Sequence, residues 1–256
     1  MHFYKYQGTG NDFIFLDNRE RSYSALTQDQ IKNLCDRRFG IGADGLILLN
    51  TKTGFDFEMK YYNADGRESS MCGNGGRCLV KFAYDLGIHK SSYRFLATDG
   101  VHEAEMEDDI IVNLKMKDVR EIRDYHGDFI LDTGSPHYVK IVSDVMAYDV
   151  FHKGMDIRNG SDFVKEGINV NFVEQKKSDE IIVRTYERGV EDETFSCGTG
   201  VTASALACFH NELGYNDVTV FTKGGKLTVK FDRIGENSFQ NIWLCGPAVK
   251  VFEGGL

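Results

Sequence analysis

Hydrophobic and polar residues alternate along much of this chain in a pattern that predicts many short strands and few helices. Ten runs with this alternation, or with an unbroken apolar stretch, are typical of β-strands: residues 55–62, 93–98, 101–107, 110–114, 129–133, 138–142, 181–186, 218–222, 227–231 and 242–244. Because strands outnumber helices, most connections should be hairpins and most strand pairs antiparallel. The pattern therefore predicts an α+β fold.

Two segments carry local helix signals outside these runs. Thr27, with Gln30 three residues further on, matches a capping box and predicts a helix that continues to about Arg38. A weaker pattern predicts a helix over residues 150–158, ended by Asn159-Gly160. Both are short helices beside the strands.

The tetrapeptide Cys-Gly-polar-Gly occurs twice, at residues 72–75 and 197–200. Each copy follows a strand-like segment and opens a run that is apolar around most of a helical circumference, as expected of a helix enclosed by a sheet. The two runs end at similar triplets, residues 85–87 and 212–214. We therefore expect two central helices, each starting at a cysteine.

The sequence around these cysteines repeats at a nearly constant offset. Gly10-Asn11 matches Gly134-Ser135, 124 positions later, and Asn63 matches Glu187, again 124 positions later. Solenoid repeats are much shorter than this. The offset predicts two pseudo-symmetric halves, each a mostly antiparallel sheet or barrel wrapped around its central helix.

Composition and charge narrow the functional classes. The chain has 256 residues, a net charge of −9 and a pI near 5.3. A nucleic-acid partner is not expected, because binding to phosphates needs a basic face. The start of the chain has no long apolar stretch, so neither a signal peptide nor membrane association is predicted. We expect a cytoplasmic protein.

Six cysteines lie along the chain, at positions 35, 72, 78, 197, 208 and 245. In a long chain without an export signal we expect reduced thiols. Cys-x-x-Cys is absent from the sequence and the gaps do not follow zinc-ligand spacing, so no metal site is predicted. Cys35, Cys78, Cys208 and Cys245 lie in apolar patterns, where a cysteine packs as a small hydrophobic residue.

Cys72 and Cys197 differ from the other four because each stands at a predicted helix start. The unpaired N–H groups and the positive end of the helix dipole favour a thiolate there, and they also bind anions such as a carboxylate. Inverting a C–H carbon next to a carboxylate requires a base on one face and an acid on the other, and two thiols can fill both roles. The residues predict a two-base racemase or epimerase without a cofactor, with its active site in the cleft between the halves.

Seven ordered segments resemble the diaminopimelate epimerase family almost from end to end: QGTGNDFIFLDN, RRFGIGADGLILL, YYNADGRESSMCGNGGRC, TGSPHYV, GINVNFVE, YERGVEDETFSCGTGVTASALA and GPAVKVFEG. The resemblance implies a pyridoxal-independent isomerase that interconverts LL- and meso-2,6-diaminopimelate in lysine and peptidoglycan precursor biosynthesis. It also implies a homodimer and a C-terminal strand that returns to the first half. The expected halves are residues 1–117 with 247–256, carrying Cys72, and residues 118–246, carrying Cys197.

The resemblance also assigns roles to individual residues. Cys72 and Cys197 match the acid–base pair of the family, and His137 and Glu187 match residues that tune the thiols. The positions matching those that hold the reacting carboxylate are Gly73, Asn74, Gly198 and Thr199, and those matching other substrate contacts are Asn11, Asn63, Asn169, Glu187 and Arg188. Arginine can bind a distal carboxylate through two hydrogen bonds, and amide or carboxylate oxygens can accept from ammonium groups.

The chain departs from the family pattern at three places. Ser135 stands where many members have asparagine, Gly45 stands where some have glutamine, and the segment before Cys197 is one residue longer. The first two changes remove amide contacts to the substrate. Asp44 and water are candidate replacements.

Two other functions fit the same residues. A cysteine-pair racemase of another amino acid, similar to proline racemase, would share the fold and the mechanism. Alternatively, Cys72 and Cys197 would form a reversible disulfide in a non-catalytic redox switch or amino-acid binder. Conversion of diaminopimelate in preference to proline, and loss of conversion in either cysteine variant, discriminate among the three functions.

Overall fold

The structure is a computed structural model that describes residues 1–208 and 213–256. These residues form four helices, α1 (Gln28–Cys35), α2 (Gly73–Asp85), α3 (Val150–Arg158) and α4 (Gly198–Cys208). They also form eighteen strands: β1 (His2–Gly8), β2 (Asn11–Asp17), β3 (Gly45–Asn50), β4 (Phe57–Asn63), β5 (Glu68–Ser69), β6 (Ser92–Ala97), β7 (Gly100–Met106), β8 (Ile111–Lys115), β9 (Arg123–Tyr125), β10 (Asp128–Asp132), β11 (Pro136–Ile141), β12 (Asn169–Lys177), β13 (Glu180–Glu187), β14 (Asp192–Thr194), β15 (Gly214–Thr222), β16 (Gly225–Arg233), β17 (Phe239–Pro247) and β18 (Val249–Gly255).

The chain divides into two compact units. Unit 1 contains Met1–Leu114 and Gly246–Leu256, and unit 2 contains Lys115–Cys245. In unit 1 the strands follow the order β18-β1-β2-β3-β4-β6-β7-β8, and the short β5 pairs with the end of β4. Every pair is antiparallel except β2–β3 and β4–β6. Parallel neighbours need a crossover connection, and α1 and α2 lie in these two crossovers.

Unit 2 repeats this topology element by element. Its order is β9-β10-β11-β12-β13-β15-β16-β17, with β14 on the end of β13. Again two pairs are parallel, β11–β12 and β13–β15, and α3 and α4 lie in their crossovers. The C-terminal strand β18 pairs with β1 as β9 pairs with β10. The predicted α+β fold with duplicated halves is confirmed.

The helix that follows each cysteine lies against the inner face of its sheet. Helix α2 contacts β1, β2, β3, β7 and β18, and α4 contacts β10, β11, β12, β13, β15 and β16. A helix that touches so many strands must be apolar on nearly all sides. Most residues of both helices are indeed buried. The predicted end of the second helix falls partly on residues 209–212, which lie outside the described residues.

Helices α1 and α3 cover the outer faces of the sheets. In unit 1, Leu46 and Leu48 of β3 pack with Ile31 of α1. The intervening Ile47 points to the opposite face, because an ideal Cβ on Gly75 of α2 would lie 3.0 Å from its Cδ1. Strands buried on both faces carry unbroken apolar runs rather than alternating ones.

The start of α1 agrees with the sequence prediction and its end does not. The Thr27 Oγ1 accepts from the Gln30 N–H at 3.3 Å, and the Gln30 Oε1 accepts from the Thr27 N–H at 2.8 Å, so the capping box is present. The helix ends at Cys35 instead of continuing to Arg38. The Asp36 carboxylate accepts from the N–H groups of residues 38 and 39, each at 2.7 Å, and this turn competes with the helix.

Candidate active site

Strand register brings the predicted substrate residues of unit 1 to one edge of the sheet. Phe13 pairs with Gly45, and Gly45 pairs with Asn63. Since side chains alternate along a strand, Asn11 lies on the same face as Phe13. That face points toward α2, because the Phe13 ring lies 3.5 Å from an ideal Cβ on Gly75. Asn11 and Asn63 therefore lie at the sheet edge where α2 begins.

Cys72 is the N-cap residue of α2, with an extended backbone (φ −100°, ψ 130°). The first helical bond runs from the Gly76 N–H to the Cys72 carbonyl at 2.7 Å, so residues 73–75 contribute the N–H groups that precede the helical ladder. Within the described chain, no side-chain hydrogen bond caps this helix. Cys72 as a residue is partly exposed. The N–H groups at this helix start can therefore bind an anion.

The Asn11 amide orients the groups around this thiol. Its Oδ1 lies 3.6 Å from the Cys72 Sγ and 3.4 Å from the Asn74 Nδ2. Its Nδ2 donates to the Asp44 Oδ2 at 2.6 Å, which fixes the direction of the amide. Asp44 is one of the candidate replacements for the lost amide contacts to the substrate. In the structure its carboxylate accepts a hydrogen bond from Asn11 and so orients that side chain.

Arg77 lies beneath this helix start, a position that the sequence pattern does not predict. Its side chain is fully buried and donates to the Asn74 Oδ1 at 3.0 Å, the Thr9 Oγ1 at 3.3 Å and the Gly73 carbonyl at 3.4 Å. A buried guanidinium one turn into the helix adds positive potential to the N-terminus. The only sequence signal was a basic residue in a glycine-rich, otherwise apolar stretch.

Cys197 occupies the equivalent position in unit 2, directly before α4. The Val201 N–H donates to its carbonyl at 2.8 Å, which starts the helix. Cys197 is 8% exposed, and its Sγ lies 3.5 Å from the Thr199 Oγ1. The Thr133 hydroxyl donates to the Thr199 carbonyl at 2.8 Å and joins this turn to the β10–β11 connection. Gly198 and Thr199 are thus the first two residues of α4, as Gly73 and Asn74 are the first two residues of α2.

Asn169, Arg188 and Ser135 form a hydrogen-bonded cluster in unit 2. The Asn169 Nδ2 donates to the Ser135 Oγ at 2.9 Å, and its Oδ1 accepts from the Arg188 N–H at 2.9 Å. The Arg188 Nη2 donates to the same Ser135 Oγ at 3.2 Å. Gly167 beside this side chain has a φ of +75°, a backbone conformation that favours glycine, and an ideal Cβ there would lie 2.6 Å from the Arg188 Cδ. The hydroxyl of Ser135 orients both predicted substrate residues.

The other two predicted contacts lie at the ends of equivalent strands. Asn63 ends β4 and is exposed, and Glu187 ends β13 and accepts from the Thr194 hydroxyl at 2.9 Å. Position 45, beside Asn63 in register, has no room for a side chain. An ideal Cβ on Gly45 would lie 2.5 Å from the ring of Tyr61, which fills the space instead.

His137 is completely buried in unit 2. Its Nδ1 lies 3.1 Å from the Asn171 Nδ2. Burial lowers the pKa of His137 to about 3, because a charged imidazolium would lose its hydration. The ring is therefore neutral at physiological pH.

The four cysteines predicted to pack as small hydrophobic residues lie away from the helix starts. Burial raises the pKa of Cys35, Cys78 and Cys208 to about 12, so these thiols stay protonated. Cys245 is 3% exposed in β17. All six cysteines are in the reduced form, as the sequence predicts. Across residues 1–208 and 213–256, no group of three His, Cys, Asp or Glu side chains is arranged to hold a metal ion, and no helix there is long and apolar enough to cross a membrane.

Solved structures of low sequence identity share this fold. A Bacillus anthracis phenazine biosynthesis protein of the PhzF family matches with a TM-score of 0.76 at 14% identity, over 99% of this chain and 98% of that chain. A hydroxyproline epimerase from Agrobacterium vitis matches with a TM-score of 0.69, also at 14% identity, over 99% of this chain and 91% of that chain. The fold is the two-repeat architecture that these proteins share.

Sequence comparison gives the family. The profile of the family described as "Diaminopimelate epimerase" matches residues 3–120 and 129–251. A diaminopimelate epimerase from Flavobacterium psychrophilum is 50% identical over 255 residues, which cover 99% of each chain. One from Chlorobaculum tepidum is 43% identical over 257 residues, which cover 96% of this chain and 98% of the relative. The chain belongs to the diaminopimelate epimerase family, whose members are isomerases.

Proposed function

We propose that this protein is a diaminopimelate epimerase that inverts one carbon of LL-2,6-diaminopimelate to give the meso isomer, and the reverse. The observation that carries the proposal is the pair Cys72 and Cys197, each at the start of an equivalent central helix. Full-length relatives with this activity in their names support the substrate assignment. The product serves lysine and peptidoglycan precursor biosynthesis.

The proposed chemistry uses only groups of the chain. One thiolate removes the α-hydrogen as a proton, and the electron pair spreads onto the neighbouring carboxylate. The N–H groups at the helix starts, from Gly73, Asn74, Gly198 and Thr199, hold that carboxylate and stabilise its growing charge. The other thiol then delivers a proton to the opposite face of the carbon. Cys72 and Cys197 exchange roles when the reaction runs in reverse.

The remaining contacts explain why a substrate with two charged ends is favoured. Arg188 presents a guanidinium held by Ser135, and such a group binds a distal carboxylate through paired hydrogen bonds. Asn11, Asn63, Asn169 and Glu187 supply amide and carboxylate oxygens for the ammonium groups. Proline has no second charged end for this cluster to bind.

The decisive experiment is incubation of the purified protein with LL-diaminopimelate in deuterated water, without added cofactor. A two-base reaction places one solvent deuterium on the inverted carbon of the meso product, while recovered LL substrate gains label more slowly. Inversion with full retention of the original hydrogen would contradict the two-thiol scheme. A parallel panel containing proline and hydroxyproline tests the alternative substrates, and faster inversion of proline would overturn the assignment.

Family membership also leads us to propose a homodimer that works in the cytoplasm. The chain mass is 28.9 kDa, so light scattering on the eluting protein should give about twice this value. A mass of a single chain at working concentrations would contradict the dimer without affecting the proposed chemistry.

A further inference from the structure

The two units differ sharply in the layer of side chains beneath the start of the central helix. In unit 1 the helix residue Gly75 packs against Phe13 and Ile47, which are apolar. The residues 124 positions further on, His137 and Asn171, are polar and fully buried. A duplicated fold with an apolar layer in one half does not need a polar layer in the other for its stability, because buried polar groups gain little net free energy. The substitution therefore indicates a function specific to unit 2.

The amide of Asn171 is fixed in one orientation by its other partners. Its Nδ2 donates to the Tyr138 carbonyl at 3.0 Å, and its Oδ1 accepts from the Thr185 hydroxyl at 2.9 Å. A flipped amide would place an oxygen against the carbonyl and lose both bonds. The second hydrogen of the Nδ2 therefore points at the His137 Nδ1, 3.1 Å away.

This orientation decides where the proton of the imidazole lies. A neutral imidazole has one donor and one acceptor nitrogen, and the Nδ1 of His137 must be the acceptor because it faces an N–H donor. The Nε2 then carries the hydrogen. Within the described residues that Nε2 is buried and has no hydrogen-bond partner. A buried donor without an acceptor is destabilising, and this cost is relieved when an acceptor binds.

We propose that Asn171, held by Thr185, is a positioning residue that fixes His137 as a neutral Nε2–H donor for an anionic group formed or bound during the reaction. The inference rests on the proposed function for the identity of that anion, either a thiolate or a substrate carboxylate. In this proposal Asn171 acts through His137, to which it is hydrogen-bonded. The charged groups that act on the imidazole are Asp132 and Arg188, and burial outweighs both.

The test is nitrogen NMR on protein labelled with 15N-histidine, with the His137 resonances identified from a His137→Gln variant. We expect His137 to show an unprotonated Nδ1 and a protonated Nε2 throughout the neutral pH range. In Asn171→Asp, a carboxylate faces the Nδ1 and should draw the proton to that nitrogen, and kcat/KM should fall on the order of 100-fold. The matched control Asn216→Asp, on β15, should change neither the spectrum nor the rate.

A second pair of variants covers the case in which Asn171→Asp does not fold. Thr185→Val removes the bond that holds the Asn171 Oδ1, so we expect a mixture of the two tautomers and a reduced kcat. Thr185→Ser keeps the hydroxyl and should therefore restore the single tautomer and the original kcat. A protonated Nδ1 in the unmodified protein would overturn the proposal, as would unchanged tautomer and rate in Thr185→Val. The NMR measurement of the His137 tautomer needs no substrate. It therefore tests the role of Asn171 even if the protein lacks the proposed epimerase activity.

Discussion

Gly200 lies so close to Asn171 that position 200 has no room for a side chain. An ideal Cβ there would stand 2.3 Å from the Asn171 Oδ1, an atom that the Thr185 hydroxyl holds in place. At the equivalent Gly75 the nearest atom is the Ile47 Cδ1, 3.0 Å away, which belongs to a side chain that can shift. The two equivalent glycines therefore face different neighbours.

This difference predicts unequal effects of the same substitution. Gly200→Ala should lower the free energy of unfolding by about 2 kcal/mol, because the new methyl group must displace a hydrogen-bonded amide. Gly75→Ala should change it by less than about 1 kcal/mol, since the better helix propensity of alanine offsets a tight apolar contact. Urea denaturation of both variants measures the difference. Equal losses would show that the amide of Asn171 moves freely.

Removing either of the two helix-start thiols should stop the reaction without unfolding the protein. Cys72→Ala and Cys197→Ala should each lower kcat on the order of 10³-fold, because each removes one of the two proton-transfer groups. Circular dichroism and thermal melting should show folded protein in both cases. The control Cys245→Ala removes a packing thiol and should lose some stability but keep its turnover. Full activity in either catalytic variant is incompatible with two thiols acting on one carbon.

The cluster of Ser135, Asn169 and Arg188 should control substrate affinity. Arg188→Met removes a charged hydrogen-bond donor, an effect of about 1.5–3 kcal/mol, and should raise KM about 10- to 100-fold with a smaller change in kcat. Ser135→Ala leaves Arg188 in place but removes its orienting acceptor, and about a fivefold rise in KM is expected. Steady-state kinetics with diaminopimelate measures both. Arg123→Met, an exposed arginine on β9, is the control and should behave like the unmodified protein.

The buried His137 should make the protein less stable in mild acid. Its pKa is lowered from 6.5 to about 3 by burial, so below pH 6.5 the unfolded chain takes up a proton that the folded chain does not. The stability contributed by the neutral ring is complete above pH 6.5 and is lost progressively as the pH falls toward 3. Between pH 7 and pH 5 the loss from this group should be about 2 kcal/mol.

Urea denaturation across this pH range gives the slope of stability against pH. The variant His137→Gln should have a shallower slope than the unmodified protein, and the exposed-histidine control His89→Gln should keep the original slope. An unchanged slope in His137→Gln would show that the imidazole is already charged or hydrated in the folded state.

Sequence patterns predicted the alternating strands and missed several others. The runs at β4, β6 and β13 alternate because one face of each is more exposed, and their predicted bounds agree with the structure within a few residues. Strands β2 and β3 are buried on both faces and read as unbroken apolar runs, which periodicity alone does not separate from buried helix. Their burial follows from the helices packed on each side, which is a property of the assembled fold.

The sequence by itself determined the duplication, the two cysteines at helix starts and the enclosed character of both central helices, because these signals lie within short stretches or at a fixed offset. Only the tertiary structure decided that Asn11 orients the groups around Cys72, that Arg77 lies beneath that helix start, and that Asn171 fixes the tautomer of His137. Those relationships depend on strand register and on hydrogen bonds between distant positions, such as Arg77 with Thr9, 68 residues apart. Such contacts leave no periodic pattern in the chain, since each partner is set by the packing of elements that the local sequence does not specify.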